Sequence, residues 1–141
     1  MKQKAKILFY VRQNGAVSIL LGKRTYGKEV FWWLPGGSVE EGEKPFEAVV
    51  RELYEELAPG PSIRSVVQGM LDTSAEAPFV DCQTPNARYR VFLVEVDVAA
   101  RDEPTRVLDE FDEVRWFDFS DLPSNMSREY AWLEPRLSAA L

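Results

Sequence analysis

Residues 37–56 read GSVEEGEKPFEAVVRELYEE, a glycine-led segment that passes into a helical pattern ending in glutamates. Pro45 suits the first turn of a helix, and the run Ala58-Pro59-Gly60-Pro61 ends it. The apolar residues between them recur at helical spacing and share one face: Phe46, Val49, Val50, Leu53 and Leu57. The stretch therefore predicts an amphipathic helix over residues 45–57.

Three carboxylates stand together on this predicted helix, away from its apolar face. Glu52, Glu55 and Glu56 fall within an arc of roughly 100°, because each residue turns the helix by about 100°. Ala48 lies one turn earlier on the same side and adds little bulk. Carboxylates without nitrogen or sulfur ligands suit hard ions such as Mg²⁺ or Mn²⁺. Taken alone, however, an acidic triplet on a helix is usually a solvated face.

The spacing around the triplet is specific. Gly37 is followed by five residues and Glu43, then by seven residues and Arg51-Glu52-Leu53-Tyr54-Glu55-Glu56. This order resembles the Nudix box, and the preceding Trp33-Leu34-Pro35-Gly36-Gly37 is typical of the same family. The resemblance implies the Nudix fold, an α/β/α sandwich with a mixed central sheet, over most of the chain.

The sequence departs from the family pattern at both ends of the helix. Ala58 and Pro59 replace the closing glycine and its apolar successor. Either Gly60 supplies a left-handed cap two residues later, or Pro59 ends the helix by another route. Lys44 stands where a capping Ser or Thr is common, which predicts weaker helix initiation.

The resemblance assigns metal binding to five residues: Gly37 through its carbonyl, Glu52, Glu55, Glu56 and Glu110. Glu52 and Glu56 are implied as direct ligands, and Glu55 as a ligand that binds directly or through water. Glu110 lies six residues before Trp116, where mutator-type members carry a further metal-binding glutamate. The alternative is that residues 109–113 form only an acidic surface loop.

The resemblance also implies catalytic and orienting roles. Glu52, Glu55 and Glu110 form the implied catalytic set, in which the general base is Glu52 or the later Glu110. Glu43 and Arg51 are implied to orient the loop and the metal-binding glutamates. Arg51 is expected to pair with Glu43 or with Glu47, its i−4 neighbour.

Four side chains are candidate substrate contacts: Arg24, Trp33, Arg90 and Asn125. Arg24 ends a predicted strand and is a phosphate partner or simply an exposed arginine, and Arg88 and Arg90 are alternatives on the wet face of a later strand. Trp33, like Trp32 and Tyr26, is a base-stacking ring or core filler. Asn125 lies near the position of a base-reading asparagine in mutator-type members, with the spacing off by one.

The rest of the chain predicts a mixed sheet with a central and a C-terminal helix, hence an α/β fold. Residues 5–11 and 16–23 form a predicted hairpin around Gln13-Asn14-Gly15. Further strands are predicted at residues 30–34, 63–71, 88–98 and 114–119, and a helix at residues 127–140, bent or interrupted before Pro135.

Composition narrows the class of protein. The 141 residues suit a single domain over residues 1–141, and the net charge of −6 argues against a general nucleic-acid binder. No histidine is present and Cys82 is the only cysteine, which excludes Ser-His and Cys-His triads, a disulfide within the chain and a cysteine zinc site. The basic start and short apolar run fit neither a signal peptide nor a membrane span, so a cytoplasmic protein is expected. The exposed-looking run Phe31-Trp32-Trp33 leaves a homodimer open.

The resemblance implies a Mg²⁺-dependent enzyme, with Mn²⁺ as an alternative ion, that cleaves a diphosphate linkage in a nucleoside diphosphate derivative. The first expectation is hydrolysis of a (deoxy)nucleoside triphosphate to a monophosphate and pyrophosphate. ADP-ribose and dinucleoside polyphosphates are alternatives, as is a non-catalytic nucleotide-binding regulatory module on the same fold. The expected partner is a small nucleotide or nucleotide sugar, with no nucleic acid and no membrane.

Overall fold

The computed structural model describes all 141 residues and contains nine strands, three α-helices and one 3₁₀ helix. The strands are β1 (Lys2–Gln13), β2 (Ala16–Tyr26), β3 (Glu29–Trp33), β4 (Gly36–Ser38), β5 (Leu57–Ala58), β6 (Phe79–Gln83), β7 (Ala87–Glu95), β8 (Arg106–Val107) and β9 (Glu113–Asp118). The helices are α1 (Pro45–Glu56), α2 (Pro61–Thr73), α3 (Tyr130–Ala140) and the 3₁₀ helix Val98–Asp102.

The large sheet is forked. β1 pairs in parallel with β7 along one edge, and its other edge pairs with β2 at Tyr10–Gln13 and with β4 at Lys4–Lys6. β2 gives one edge to β9 and divides the other between β1 and β3. β1 and β2 therefore separate beyond their hairpin, and the connection from β3 to β4 occupies the opening between them. Pro35 of that connection accepts a hydrogen bond of 2.9 Å from the Ile7 amide.

Each face of the sheet carries its own buried cluster, because alternate strand residues point to opposite faces. Ile7 and Phe9 pack on one face with residues of α1 and α2. Leu8 packs on the other face with Leu133 and Leu137 of α3. The predicted α/β/α sandwich with a mixed central sheet is confirmed.

The predicted strand at residues 63–71 is wrong, because this segment is the helix α2. Pro61 occupies its first turn, and Ile63 and Val67 form its buried stripe one turn apart. The apolar residues Ile63, Val66 and Val67 are β-branched, which favoured the strand interpretation. A helical stripe and a short buried strand look alike over so few residues.

Three other boundaries differ from the prediction. α1 ends at Leu57, whose extended backbone enters the two-residue strand β5, so the helix ends without a left-handed cap. Gly60 instead precedes α2 with φ of −69°. The C-terminal helix begins at Tyr130 and continues through Pro135. The strand predicted at residues 88–98 ends at Glu95.

The aromatic run on β3 is less exposed than predicted. Trp32 and Trp33 retain only 5% and 4% of their accessible surface, and Phe31 is half-buried. Trp32 packs edge-to-face on Phe117 of β9, with ring centroids 4.8 Å apart. These indoles fill the core on the α3 face. No helix is long and apolar enough to cross a membrane.

Candidate metal centre

The Gly36 peptide lies at the opening of the fork and contacts two charged side chains. Its N–H donates to Glu56 Oε1 at 2.8 Å, and its carbonyl accepts from Lys6 Nζ at 3.1 Å. Gly36 has φ of +131°, and a Cβ there would lie 2.1 Å from the Ala5 carbonyl oxygen. Only glycine fits this position, and its peptide fixes one oxygen of Glu56.

Three glutamates converge at this point. Oxygen atoms of Glu52, Glu56 and Glu110 lie within 4.8 Å of one another. Glu52 and Glu56 are four residues apart on α1 and therefore stand one above the other on the helix. Glu55, predicted as a further ligand, lies outside this group, and its side chain is 58% exposed.

Glu110 reaches the site on an anchored loop between β8 and β9. The Leu108 amide donates to the Glu56 carbonyl at 2.9 Å, and the Asp112 amide donates to the Lys23 carbonyl at 2.8 Å. Phe111 is buried against Gly22 of β2. Glu110 itself has φ of +67°, an uncommon conformation for a residue with a side chain. The acidic segment is thus held against the sheet, and Glu110 is turned toward α1.

Glu56 is buried, which corrects the expectation that all three carboxylates of the helix point away from the core. Only 1% of its surface is accessible, and Ala48 on the same side of α1 is also buried. Burial raises the pKa of Glu56 to about 8 and lowers the pKa of Lys6 to about 8, because a charge is costly away from water. The opposite charges of the two groups counteract both shifts.

Arg51 ties the loop before α1 to the carboxylates. Its Nε and Nη2 donate to Glu43 at 2.8 and 3.1 Å, and Nη1 donates to Glu52 at 3.1 Å. Nη2 also donates to the Ser38 carbonyl at 3.2 Å. Of the two predicted partners, Glu43 is therefore the one that pairs. Glu47 instead accepts from the Lys44 amide at 3.2 Å, which supports the helix start that lacks a capping hydroxyl.

The residues at this point suit a hard divalent cation. Glu56 Oε2 is buried and has no hydrogen-bond partner, so it is available as a ligand. A Cβ on Gly37 would lie 2.6 Å from the Glu52 carboxyl carbon, so glycine is needed to leave Glu52 in place. All the donors are oxygen atoms, the set that Mg²⁺ and Mn²⁺ prefer.

The four candidate substrate contacts lie in different places. Arg24 lies beside the cluster, with Nη2 3.6 Å from Glu110 Oε2. Trp33 is buried, so its ring offers no free face to a base. Arg90 pairs with Asp81 at 3.0 Å, on the face of the sheet that carries α1. Asn125 binds the Val30 carbonyl through its side chain at 3.2 Å and so fastens the loop before α3 to β3.

Lys6 is the functional candidate that the sequence analysis missed. It is 3% exposed, and its Nζ lies 5.8 Å from the centre of the Trp33 ring. The alternation of Lys2, Lys4 and Lys6 in an apolar-flanked strand was the available signal.

Known proteins show the same sequence pattern and fold. The family model described as the NUDIX domain matches residues 1–138. An RNA pyrophosphohydrolase of Azorhizobium caulinodans is 45% identical over 60 residues, 39% of this chain and 33% of that protein. The nucleoside triphosphatase NudI of Escherichia fergusonii is 28% identical over 125 residues, 86% of each chain. A C. elegans Ap4A hydrolase structure superposes with a TM-score of 0.62 at 19% identity, covering 99% of this chain and 97% of that one. The chain spans about a third of the length of two of the RNA pyrophosphohydrolases that it matches.

Proposed function

Because the chain belongs to the Nudix family, we propose that it hydrolyses a diphosphate linkage in a nucleoside diphosphate derivative, with Mg²⁺ held by Glu52, Glu56 and Glu110. The convergence of these three carboxylates within 4.8 Å carries the proposal. Like charges so close together are unfavourable without a cation. When bound, Mg²⁺ supplies neutralisation of phosphate charge and a template for in-line attack.

The surrounding residues fit distinct tasks. Arg51 holds Glu52, and the Gly36 amide holds Glu56, so both carboxylates are fixed. The Glu110 carboxylate has one charged neighbour, Arg24 at 3.6 Å, and is 44% exposed. We assign to Glu110 the proton of the attacking water, whose oxygen bonds to phosphorus as the P–O bond of the diphosphate breaks. Arg24 is then placed to contact a phosphate beside Glu110.

The first candidate substrate is a (deoxy)nucleoside triphosphate, cleaved to a monophosphate and pyrophosphate. The likeness to a protein named nucleoside triphosphatase over most of the chain supports this choice. The second candidate is the 5′-triphosphate end of an RNA. It is favoured by several relatives named RNA pyrophosphohydrolase, one of them 45% identical over the matched segment.

The test is a hydrolysis panel at fixed Mg²⁺ concentration. Nucleoside triphosphates, ADP-ribose, a dinucleoside tetraphosphate and a 5′-triphosphorylated RNA are each incubated with the protein, and released phosphate and pyrophosphate are measured. Glu52→Gln removes one carboxylate of the cluster, and Glu41→Gln removes an exposed carboxylate from the loop before α1.

We expect Glu52→Gln to lose at least about a hundredfold in kcat/KM, since loss of groups that only support a metal ligand costs 10–100-fold. Glu41→Gln should match the unaltered protein. The proposal fails if no diphosphate in the panel is cleaved, or if Glu52→Gln cleaves as fast as Glu41→Gln.

A further inference from the structure

Three lysines alternate along the start of β1 and therefore share one face of the sheet. Lys2, Lys4 and Lys6 are followed on this face by Leu8, which is buried with residues of α3. The face is thus basic before Leu8 and apolar after it. We call these three lysines the lysine row.

The lysine row does not lie on an edge strand, where lysines commonly serve to prevent aggregation. At Lys4 and Lys6, β1 pairs with β7 on one side and with β4 on the other. A lysine in a strand flanked on both sides displaces residues that would normally pack. Its placement there indicates a different task from protection of an edge.

None of the three lysines has a carboxylate partner. Lys4 Nζ donates to Ser38 Oγ at 3.0 Å, and Lys6 Nζ donates to the Gly36 carbonyl. Lys23 is the only lysine that forms a salt bridge in this structure. The chain has 23 acidic and 17 basic residues, so a row of unpaired lysines stands out against its overall charge. The positive charge of the row is available to a ligand.

One end of the row meets the metal centre, and the other end opens on a depression. Lys6 reaches Glu56 through the Gly36 peptide. Lys2 and Lys4 line an open depression of about 740 Å³ together with Met1, Asn86, Ala87 and Tyr89. Its volume is within the range of ligand sites. Alternate residues of a strand lie about 7 Å apart, so the row extends roughly 13 Å away from the carboxylates.

We propose that Lys2 and Lys4 bind a further phosphate group of the substrate, one separated from the cleaved diphosphate by a nucleoside. This inference rests on the proposed function. Adjacent phosphates in a polyphosphate share an oxygen atom and would crowd around one ammonium group. A phosphate on the far side of a nucleoside instead lies at a distance comparable with the length of the row. The substrate class is therefore a nucleotide with an additional phosphomonoester or phosphodiester at its 3′ side.

The experiment compares three substrates with the same 5′-triphosphate and nucleoside. The first has a free 3′-hydroxyl, the second a 3′-phosphate, and the third a second nucleoside joined through a 3′,5′-phosphodiester. We measure kcat/KM for each with the unaltered protein and with Lys2→Gln/Lys4→Gln. Lys28→Gln is the matched control, since Lys28 lies in the exposed turn between β2 and β3.

The expected result is a change in preference between substrates. In the double variant, the ratio of kcat/KM for a phosphate-bearing substrate over the plain triphosphate should fall by about tenfold, as expected for loss of one charged hydrogen bond. Its salt dependence should also weaken, by about 0.7 in the log–log slope for each lost phosphate contact on a single strand. Lys28→Gln should leave the ratio unchanged. Whether the 3′-phosphate or the phosphodiester gains more identifies the source of the phosphate.

An equal fall for all three substrates, or a fall matched by Lys28→Gln, overturns the inference. A second measurement covers the case in which no substrate is cleaved. Anisotropy of a labelled 5′-phosphorylated dinucleotide reports its dissociation constant with Mg²⁺ present. If hydrolysis is absent but Lys2→Gln/Lys4→Gln weakens this binding about tenfold, the hydrolase proposal fails and the lysine row stands as a phosphate site. Unchanged binding overturns the lysine row.

Discussion

At the scale of single residues, two adjacent glycines serve different purposes. A Cβ on Gly36 would collide with the backbone of Ala5, whereas a Cβ on Gly37 would meet only the end of the Glu52 side chain. We expect Gly37→Ala to fold but to displace Glu52, with at least about a tenfold loss in affinity for Mn²⁺ measured by electron paramagnetic resonance. Gly36→Ala should fail to fold or should lose several degrees in Tm. Normal Mn²⁺ affinity in folded Gly37→Ala would contradict this account.

The Arg51–Glu43 pair gives a prediction about pH. Two hydrogen bonds from Arg51 hold the pKa of Glu43 below its usual range. A carboxyl group whose pKa is lower in the folded state adds stability above its unfolded pKa of about 4.3, and this contribution is lost as the pH falls through the folded value. Glu43→Gln should therefore lower Tm at pH 7, and the difference from the unaltered protein should shrink below about pH 4.

Thermal unfolding followed by circular dichroism between pH 7 and pH 3 measures this difference. Glu41→Gln is the control, because Glu41 is exposed in the same loop and has no charged partner. A difference between Glu43→Gln and the unaltered protein that stays constant down to pH 3 would show that the pair does not stabilise the fold through charge.

Residue spacing predicted which carboxylates converge, but it did not predict their burial. Glu52, Glu56 and Glu110 could be selected because the box fixes their positions along the chain. The burial of Glu56 depends on β4, which places the Gly36 amide against it. That contact joins segments twenty residues apart in the chain and has no signature in the helix itself. The role of Lys6 was hidden for the same reason.

At the scale of secondary-structure elements, α1 was predictable and α2 was not. α1 carries a long apolar stripe, and all of its predicted core residues are buried. α2 buries only Ile63 and Val67, and its remaining apolar residues are partly exposed. Its helical period is therefore weak, and its β-branched residues favour a strand when neighbours are ignored.

A pair of glycines tests the assignment of α2. Gly69 lies in the interior of α2 and Gly15 in the β1–β2 turn with φ of +80°, and a Cβ at either position would meet no atom within 4 Å. Gly69→Ala should raise the free energy of unfolding by about 0.5–1 kcal/mol, because alanine favours a helix. Gly15→Ala should lower it, because alanine disfavours positive φ.

Chemical denaturation with urea measures both changes in free energy, and an unchanged m-value excludes an effect on the unfolded chain. The two sites differ in backbone conformation but not in available space, so packing cannot account for opposite signs. A loss of stability in Gly69→Ala would indicate that residues 61–73 are not helical in solution.

At the scale of the whole molecule, the forked sheet explains how distant segments form one site. β1 and β2 share a hairpin and then take different partners, which leaves room for Gly36 between them. Sequence patterns give the strands and their buried faces but not the division of one edge between two partners, since that depends on long-range pairing. The α/β class was therefore predictable, whereas the fork was not.

The same arrangement couples metal binding to global stability. α1 contributes Glu52 and Glu56, and a loop close to β9 contributes Glu110, so the three oxygens come together only in the folded chain. A cation that binds only the folded state at about one hundred times its dissociation constant stabilises it by about 2.7 kcal/mol. For a chain of this length, Mg²⁺ should then raise Tm by roughly 5–10 °C.

Differential scanning calorimetry with MgCl₂, against NaCl at equal ionic strength, separates this effect from screening of the net charge of −6. Glu110→Gln should reduce the Mg²⁺-dependent rise, because it removes the ligand that joins the loop to α1, and Glu41→Gln should retain it. Chelation of the ion should return Tm to its starting value. If NaCl produces the same rise, or if Glu110→Gln responds as the unaltered protein does, the three glutamates do not bind the ion together.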